Sequence, residues 1–145
     1  ILHYMMQIRP PLGTYNAYIA DVHVGNSAQV TAAIGCDYEV LPKLKIGADF
    51  NWYGKNYADF DPTARTTIEN KVDAWEMPNY YILDVNANYK FKMGGMNATI
   101  YGNVSNLFDT EYIADATDGT NHDALSSYVF YGFGRTWSAG LRVNF

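Results

Sequence analysis

The chain contains 145 residues, of which 48% are hydrophobic, 16% are aromatic and only 17% are charged, and its formal net charge is −5. This apolar and aromatic content excludes intrinsic disorder, the acidic balance excludes a general nucleic-acid binder, and a single cysteine excludes a disulfide framework or a multi-thiolate metal site. No apolar run reaches the about 18 residues of a transmembrane helix, so a soluble β protein and a membrane β-barrel remain.

Alternation of apolar and polar residues with period two is the main pattern along the chain, and it predicts strands. Residues 1–14 show no usable pattern, and residues 15–25 give a weak indication of one strand. In each clear segment one set of positions is apolar and the other is polar, often Asn, Gly, Ser or Thr with isolated charges. The clear segments are 30–39, 44–53, 83–92, 96–105 and 137–145. No helical period competes, so we expect an all-β fold of five or six strands.

The connections between these segments alternate in length. Residues 40–43 and 93–95 form short turns, the second with two glycines that accept positive φ. Two long segments, about 59–79 and about 109–127, separate the hairpins. This pattern predicts an up-and-down meander whose long loops share one end, which is the layout of outer-membrane barrels.

Strand length and aromatic placement favour lipid over a soluble core. A tilted strand needs about 9 to 11 residues to cross a bilayer, whereas strands of soluble proteins average about 5 to 6. A soluble β-sandwich or lipocalin-like barrel is the alternative, and it explains neither the long strands nor aromatic residues at both strand ends. We therefore expect an antiparallel up-and-down segment of a transmembrane β-barrel. The aromatic residues in question are Tyr38, Tyr89, Phe91 and Phe145 at the short-turn end, and Trp52, Tyr80, Tyr81, Phe108, Phe133 and Trp137 toward the long loops.

Two segments resemble the end of a known family. Residues 106–112 read Asn-Leu-Phe-Asp-Thr-Glu-Tyr, and residues 134–145 open with Gly-Arg, contain Gly-Leu and end with Phe. In this order and spacing they resemble the last strands of TonB-dependent outer-membrane receptors, and the resemblance covers about residues 27–145. The motif residues are Asn106, Leu107, Phe108, Asp109 and Tyr112.

The resemblance implies a barrel of about 22 strands with an N-terminal plug, which imports iron chelates, cobalamin or glycans with energy supplied through TonB. Residues 1–145 would be a C-terminal fragment of that barrel without the plug, located in the cell outer membrane. Its implied partners are outer-membrane lipid, the remaining strands and plug, the barrel-assembly machinery, TonB through the missing N-terminal part, and an unidentified transported ligand. We expect no cofactor, no metal, no nucleic-acid partner and no enzymatic activity. Because such an arc has two unpaired sheet edges, we also expect the isolated chain neither to insert stably nor to transport.

Particular residues receive expected roles from the same resemblance. The last strand resembles the signal that the barrel-assembly machinery recognises. The residues of this signal are Trp137, Leu141, Val143 and Phe145. Packing of these residues against lipid is the simpler interpretation. For Asn106, Phe108 and Asp109 we expect a structural role where a strand leaves the membrane, rather than ligand contact.

The two long loops are the candidates for contact with a ligand, because they would surround the outer mouth of a barrel. Trp75 and Tyr80 could stack on a sugar or chelate, although interfacial aromatics need no ligand. Asp118 and His122 belong to a polar run that could hold a hard cation such as Ca²⁺, although the spacing of a calcium loop is absent and a solvated loop is favoured. The run consists of Asp115, Asp118, Asn121, His122 and Asp123.

Two other functions remain as alternatives. A small structural or adhesive outer-membrane barrel would need at least about eight strands, more than the pattern predicts. An outer-membrane hydrolase could in principle use Ser126, His122 and Asp123. Three neighbours on one loop do not make an oriented catalytic triad, whose geometry comes from several elements.

Overall fold

The computed structural model describes residues 6–8 and 15–144, and these residues form an antiparallel all-β structure. Within these ranges there is no α-helix, and no helix is long and apolar enough to cross a membrane. The all-β prediction is therefore confirmed. The strands are β1 (Met6–Ile8), β2 (Tyr15–Ala17), β3 (Ala28–Leu41), β4 (Leu44–Tyr57), β5 (Glu76–Met77), β6 (Tyr80–Met93), β7 (Met96–Ser105), β8 (Ile113–Thr117), β9 (Tyr128–Tyr131) and β10 (Thr136–Asn144), with a 3-10 helix at Pro62–Ala64.

The five clear segments of alternation correspond to β3, β4, β6, β7 and β10. The weak strand over residues 15–25 is wrong in extent, because only Tyr15–Ala17 is a strand, and it pairs with Met6–Ile8. Asp21 adopts a left-handed φ angle of 63°, which an extended strand does not contain. Residue 145, the end of the last predicted strand, lies outside the described residues.

The chain divides into two compact units, which we describe separately. The sheet unit comprises residues 30–54, 79–112 and 132–145, and the loop unit comprises residues 1–29, 55–78 and 113–131.

The sheet unit contains strands in the order β10-β7-β6-β4-β3. Apolar residues stand opposite one another across it: Val85 pairs with Ala48 and with Val104, and Val104 pairs with Trp137. The next row is polar or small, and it consists of Gly47, Asn86, Asn103 and Ser138. Because side chains alternate along every strand, this register collects the apolar sets on one face and the polar sets on the other.

Two tight turns set this register. Gly94 and Gly95 connect β6 to β7 with φ angles of 57° and 88°, the pair of positive values that a type I′ hairpin turn requires. Pro42 and Lys43 connect β3 to β4, and Lys43 has a φ of 77°. Both connections match the short turns expected from the sequence.

The apolar face of the sheet unit is exposed. Trp137 keeps 77% of its accessible surface and Ile34 keeps 72%, and other apolar side chains of this face are also exposed, namely Tyr38, Ile46, Tyr89, Ile100 and Leu141. In the described residues β3 and β10 each pair along one side only, so the sheet is open.

The loop unit has a small core of its own. The core contains Ala58, Ala74, Met77 and Ala116, with Phe60, Trp75, Ile113 and Val129 packed against it. The two long segments were expected to be loops, but they also contain short strands. β5 pairs with the end of β4, and β8 forms a hairpin with β9. Backbone hydrogen bonds join the two segments, since the N–H of Asp59 donates to Ala116 and the N–H of Asp118 donates to Asp59.

Candidate functional site

A buried ion pair connects the two long segments inside the loop unit. The guanidinium of Arg65 lies 3.2 Å from the Asp118 carboxylate, and each side chain is only 3% exposed. Arg65 also donates to the carbonyl oxygen of Asn70 at 2.8 Å, and its guanidinium stacks over the Phe60 ring at 4.8 Å from the centroid. The positive charge is therefore held between an anion, a carbonyl and an aromatic face.

His122 completes this cluster. Its Nδ1 lies 2.5 Å from an Asp118 oxygen and its Nε2 lies 3.3 Å from an Arg65 nitrogen. Because arginine only donates, we assign Nε2 as the acceptor, and Nδ1 then carries the hydrogen and donates to Asp118. The other Asp118 oxygen accepts from the backbone N–H of Trp75 at 3.0 Å. The carboxylate of Asp118 thus has three partners.

The cluster forms the wall of an open cleft of about 350 Å³. The side chain of His122 is 28% exposed, whereas Asp118 and Arg65 are buried behind it. The cleft is also lined by Phe60, Asp61, Asn70 and Thr120.

The four predicted ligand contacts are not all in one place. Asp118 and His122 lie in the cluster, and Trp75 is half-buried against the core of the loop unit. Tyr80 belongs to the sheet unit, where its ring lies between Tyr53 and Tyr112 at centroid distances of 4.8 and 4.5 Å. Arg65 is not among the predicted contacts, and its only signal in the sequence is a positive charge, shared with Lys71, in a long segment with several acidic residues.

The side chains around Asp118 and Asp123 bear on the calcium and hydrolase alternatives. No group of three or more acidic, His or Cys side chains arranged for a metal occurs among the described residues. Ser126 donates its hydroxyl to Asp123 at 2.8 Å, whereas His122 contacts Asp118 and Arg65. The three residues of the hydrolase alternative therefore fall into two separate contacts.

Asp123 makes the stability of this loop depend on pH in the acidic range. The hydroxyl of Ser126 and its backbone N–H, 2.9 Å away, both donate to one Asp123 oxygen and lower the pKa of that carboxyl. A lowered folded-state pKa adds stability that is fully present above the ordinary Asp pKa of about 4 and is lost as pH falls through the lowered value.

We expect the substitution Ser126→Ala to raise the pKa of Asp123, measured by carboxyl carbon NMR during an acid titration. Ser127→Ala is the matched control, because the Ser127 hydroxyl donates to the backbone carbonyl of Asp123 and not to its carboxylate. An equal shift in both variants would contradict the assignment of Ser126 as the cause.

The family-like motif forms a hydrogen-bonded corner in the sheet unit. Asn106 is 3% exposed with a φ of 54°, and its side chain both accepts from the N–H of Thr110 and donates to the carbonyl of Thr110, each at 2.9 Å. The N–H of Asn106 donates to the carboxylate of Asp84 at 2.9 Å, and the N–H of Leu107 donates to the carbonyl of Leu83 at 2.7 Å. These contacts fix the turn that follows β7.

The same corner contacts the start of the last strand. The Asp109 carboxylate accepts from the backbone N–H of Arg135 at 2.7 Å, and Arg135 donates to the carbonyl of Leu107 at 3.4 Å. Phe108 stays 61% exposed and meets the Tyr81 ring edge-on. The motif residues and the Gly-Arg opening of the last strand, which lie far apart in sequence, are therefore neighbours in the structure.

Comparison with known proteins does not extend this description. The chain matches no family model, no curated protein and no solved structure. The resemblance of residues 106–112 and 134–145 to TonB-dependent receptors therefore remains a prediction from the sequence.

We expect Asn106→Ala to destabilise the corner by about 1 to 3 kcal/mol. The substitution leaves the N–H and carbonyl of Thr110 without these partners and places a methyl side chain at a left-handed φ. Faster hydrogen exchange of the Thr110 amide would measure the effect. Asn106→Gly loses the same side-chain hydrogen bonds but accepts the left-handed φ, so it should give a smaller increase than Asn106→Ala.

The last strand carries three of the four predicted assembly residues. Trp137, Leu141 and Val143 occupy the apolar face, opposite Val104, Ile100 and Ala98 respectively. Phe145 lies outside the described residues. These three side chains therefore lie on the face of β10 that the alternation predicts to be apolar.

Proposed function

We propose that the chain is part of an outer-membrane TonB-dependent receptor that takes up a nutrient such as an iron chelate, cobalamin or glycan. In this proposal β3, β4, β6, β7 and β10 form an arc of the transmembrane barrel, and the two long segments are extracellular loops. The chain would act together with the remaining strands, a plug and TonB.

The observation that carries the proposal is the exposed apolar face of the sheet unit. Soluble monomers rarely expose contiguous apolar patches larger than a few hundred Å². Here apolar side chains stand in register over neighbouring strands, and β3, β4 and β6 each have 14 residues, more than the about 9 to 11 that a tilted strand needs to cross a bilayer. Lipid is the medium that stabilises such a face without further protein.

The open edges favour an arc of a larger barrel. Unpaired N–H and C=O groups cost several kcal/mol each in hydrocarbon, so spanning strands need partners on both sides. The sheet order contains five strands, fewer than the about eight of the smallest barrels, which disfavours a self-closing structural or adhesive barrel. The corner around Asn106 and its contact with Arg135 bring together the two segments that carry the family resemblance.

Fluorescence quenching by lipids with brominated acyl chains tests the orientation of the sheet. A variant that keeps only Trp137, with Trp52 and Trp75 changed to Phe, is expected to be strongly quenched in vesicles. The matched variant that keeps only Trp75 should be quenched little, because Trp75 packs in the loop unit. Equal or absent quenching in the two variants would contradict the membrane proposal. Because of its open edges, the chain should contact lipid in this way without giving a heat-resistant, protease-resistant band.

A further inference from the structure

The short-turn end of the sheet unit concentrates positive charge. Lys43, Lys90 and Lys92 line one cavity there, although the whole chain has a net charge of −5. Lys90 and Lys92 belong to the polar set of β6, and Lys43 lies in the turn between β3 and β4. Arg142 adds a fourth cation on the same face, because it and Lys90 pair with Thr99 from opposite sides.

The charge of these lysines is not compensated by carboxylates among the residues that the structure describes. None of the ion pairs found there includes Lys43, Lys90 or Lys92. The carboxylate of Glu39 accepts from the backbone N–H of Lys43 at 3.1 Å, and not from its ammonium group. Lys43 and Lys90 are also neighbours across the sheet, since the N–H of Lys90 donates to the carbonyl of Lys43 at 2.9 Å. Like charges in such positions destabilise a sheet, so a bound anion would be stabilising here.

The cavity between the lysines also offers neutral hydrogen-bond donors. Its volume is about 370 Å³, which is within the range of small-molecule sites. Asn97, Thr99 and Asn144 line it, and their amide and hydroxyl groups can donate to the oxygens of an anion. A phosphate monoester carries about 1.5 to 2 negative charges at pH 7 and presents three strong acceptor oxygens on one centre. Several cations and amides around one cavity match that combination better than they match a single carboxylate.

We propose that this cavity binds the phosphate group of a soluble phosphate monoester, with charge-assisted hydrogen bonds from Lys90 and Lys92 and a further positive charge from Lys43. Lys90, Lys92 and the three neutral donors belong to the polar sets of their strands, so the ligand comes from water and not from the side that the proposed function assigns to lipid. The inference goes beyond that function and does not depend on it, because the cavity lies within the sheet unit.

Calorimetry on the full chain in detergent micelles, at one fixed ionic strength, tests the inference with two probes. Glycerol phosphate carries its charge on one phosphate group, whereas succinate carries two charges on separate carboxylates. We expect saturable binding of glycerol phosphate, and affinity for succinate weaker by at least about threefold. No binding of glycerol phosphate, or succinate bound as tightly, overturns the inference.

Variants show whether the phosphate occupies this cavity. Lys90→Gln should lower the affinity for glycerol phosphate by at least about threefold. Lys71→Gln is the matched control, because Lys71 pairs with Asp21 at 3.3 Å and does not line the cavity. Both variants remove one positive charge from the chain, so an equal loss in the two would mean that only net charge matters and would overturn the inference.

The stability of the variants separates binding from folding. Because Lys90→Gln relieves the repulsion with Lys43, it should not speed hydrogen exchange of the β6 and β7 amides in the free chain. Lys92→Gln should weaken binding as well, and it keeps the inference testable if Lys90→Gln disturbs the sheet. Unchanged affinity in both variants would place the phosphate elsewhere and overturn the inference.

Vesicles distinguish a soluble ligand from a lipid headgroup. Phosphatidic acid carries a phosphate monoester, and its addition to phosphatidylcholine vesicles should not increase co-flotation of the chain through Lys90. If it does so while glycerol phosphate fails to bind, the ligand is a headgroup and the inference of a soluble ligand is overturned. Loss of Trp137 quenching with phosphate binding intact would instead reject only the membrane proposal.

Discussion

Replacing Asp118 by Ala is expected to destabilise the loop unit by about 3 to 5 kcal/mol, because one partner of a buried ion pair is removed while the other stays buried. Arg65 would keep its charge at 3% exposure, and the backbone N–H of Trp75 and the Nδ1 hydrogen of His122 would lose their acceptor. Hydrogen exchange of the amides of Asp59 and Ala58, whose bonds join the segments of this unit, would measure the loss.

Two further variants separate the charge from the packing. Asp115→Ala is the matched control on β8, where the side chain is exposed, and it should change exchange rates little. In the double variant Arg65→Met with Asp118→Leu both charges are absent, so the loss should be smaller than in Asp118→Ala alone. In the cycle of Arg65→Met, Asp118→Leu and their double variant, additive losses would mean that the pair does not interact energetically and would contradict the assigned role.

The two faces of the sheet could be predicted from the sequence because the side-chain period of a strand is two. Val85, Val104 and Trp137 were placed on apolar sets of their separate strands, and the structure aligns them in one row. The turn glycines Gly94 and Gly95 then leave little freedom in the register of β6 and β7. Local pattern and turn chemistry thus agree with the observed pairing.

The buried cluster could not be predicted in the same way. Arg65 and Asp118 are 53 positions apart, and no local periodicity connects them. Their contact depends on the backbone bonds between Asp59 and residues 116 and 118, which form an isolated parallel bridge that no pattern in a single sequence reveals. The sequence predicts Asp118 as a ligand contact on a solvated loop, but the structure buries its side chain, and the partly exposed member of the cluster is His122.

A lysine in the middle of the apolar face is expected to weaken association with lipid. Ala139 lies near the centre of β10, opposite Gly102, on the face that carries Trp137 and Leu141. In membrane barrels a lysine on the lipid face costs about 2 to 4 kcal/mol at the bilayer midplane. The isolated chain is expected to contact lipid through this face without inserting stably, so Ala139→Lys should lower vesicle binding by no more than the roughly 30- to 700-fold that this cost corresponds to, measured by co-flotation of the chain with vesicles.

The neighbouring position on the same strand gives the control. Ser138→Lys adds the same charge on the polar face and removes one hydrogen bond, from the Ser138 hydroxyl to Asn103, so its cost should stay near about 1 kcal/mol. Adjacent residues of a strand point to opposite faces. Vesicle binding should therefore differ strongly between the two variants only if one face meets lipid and the other meets water. If the apolar face instead packed against another protein layer, Ala139→Lys would still destabilise the fold, but the unsubstituted chain would not float with vesicles. Equal effects at positions 138 and 139 would contradict a lipid-facing apolar face, because they would mean that vesicle binding does not depend on which face carries the charge.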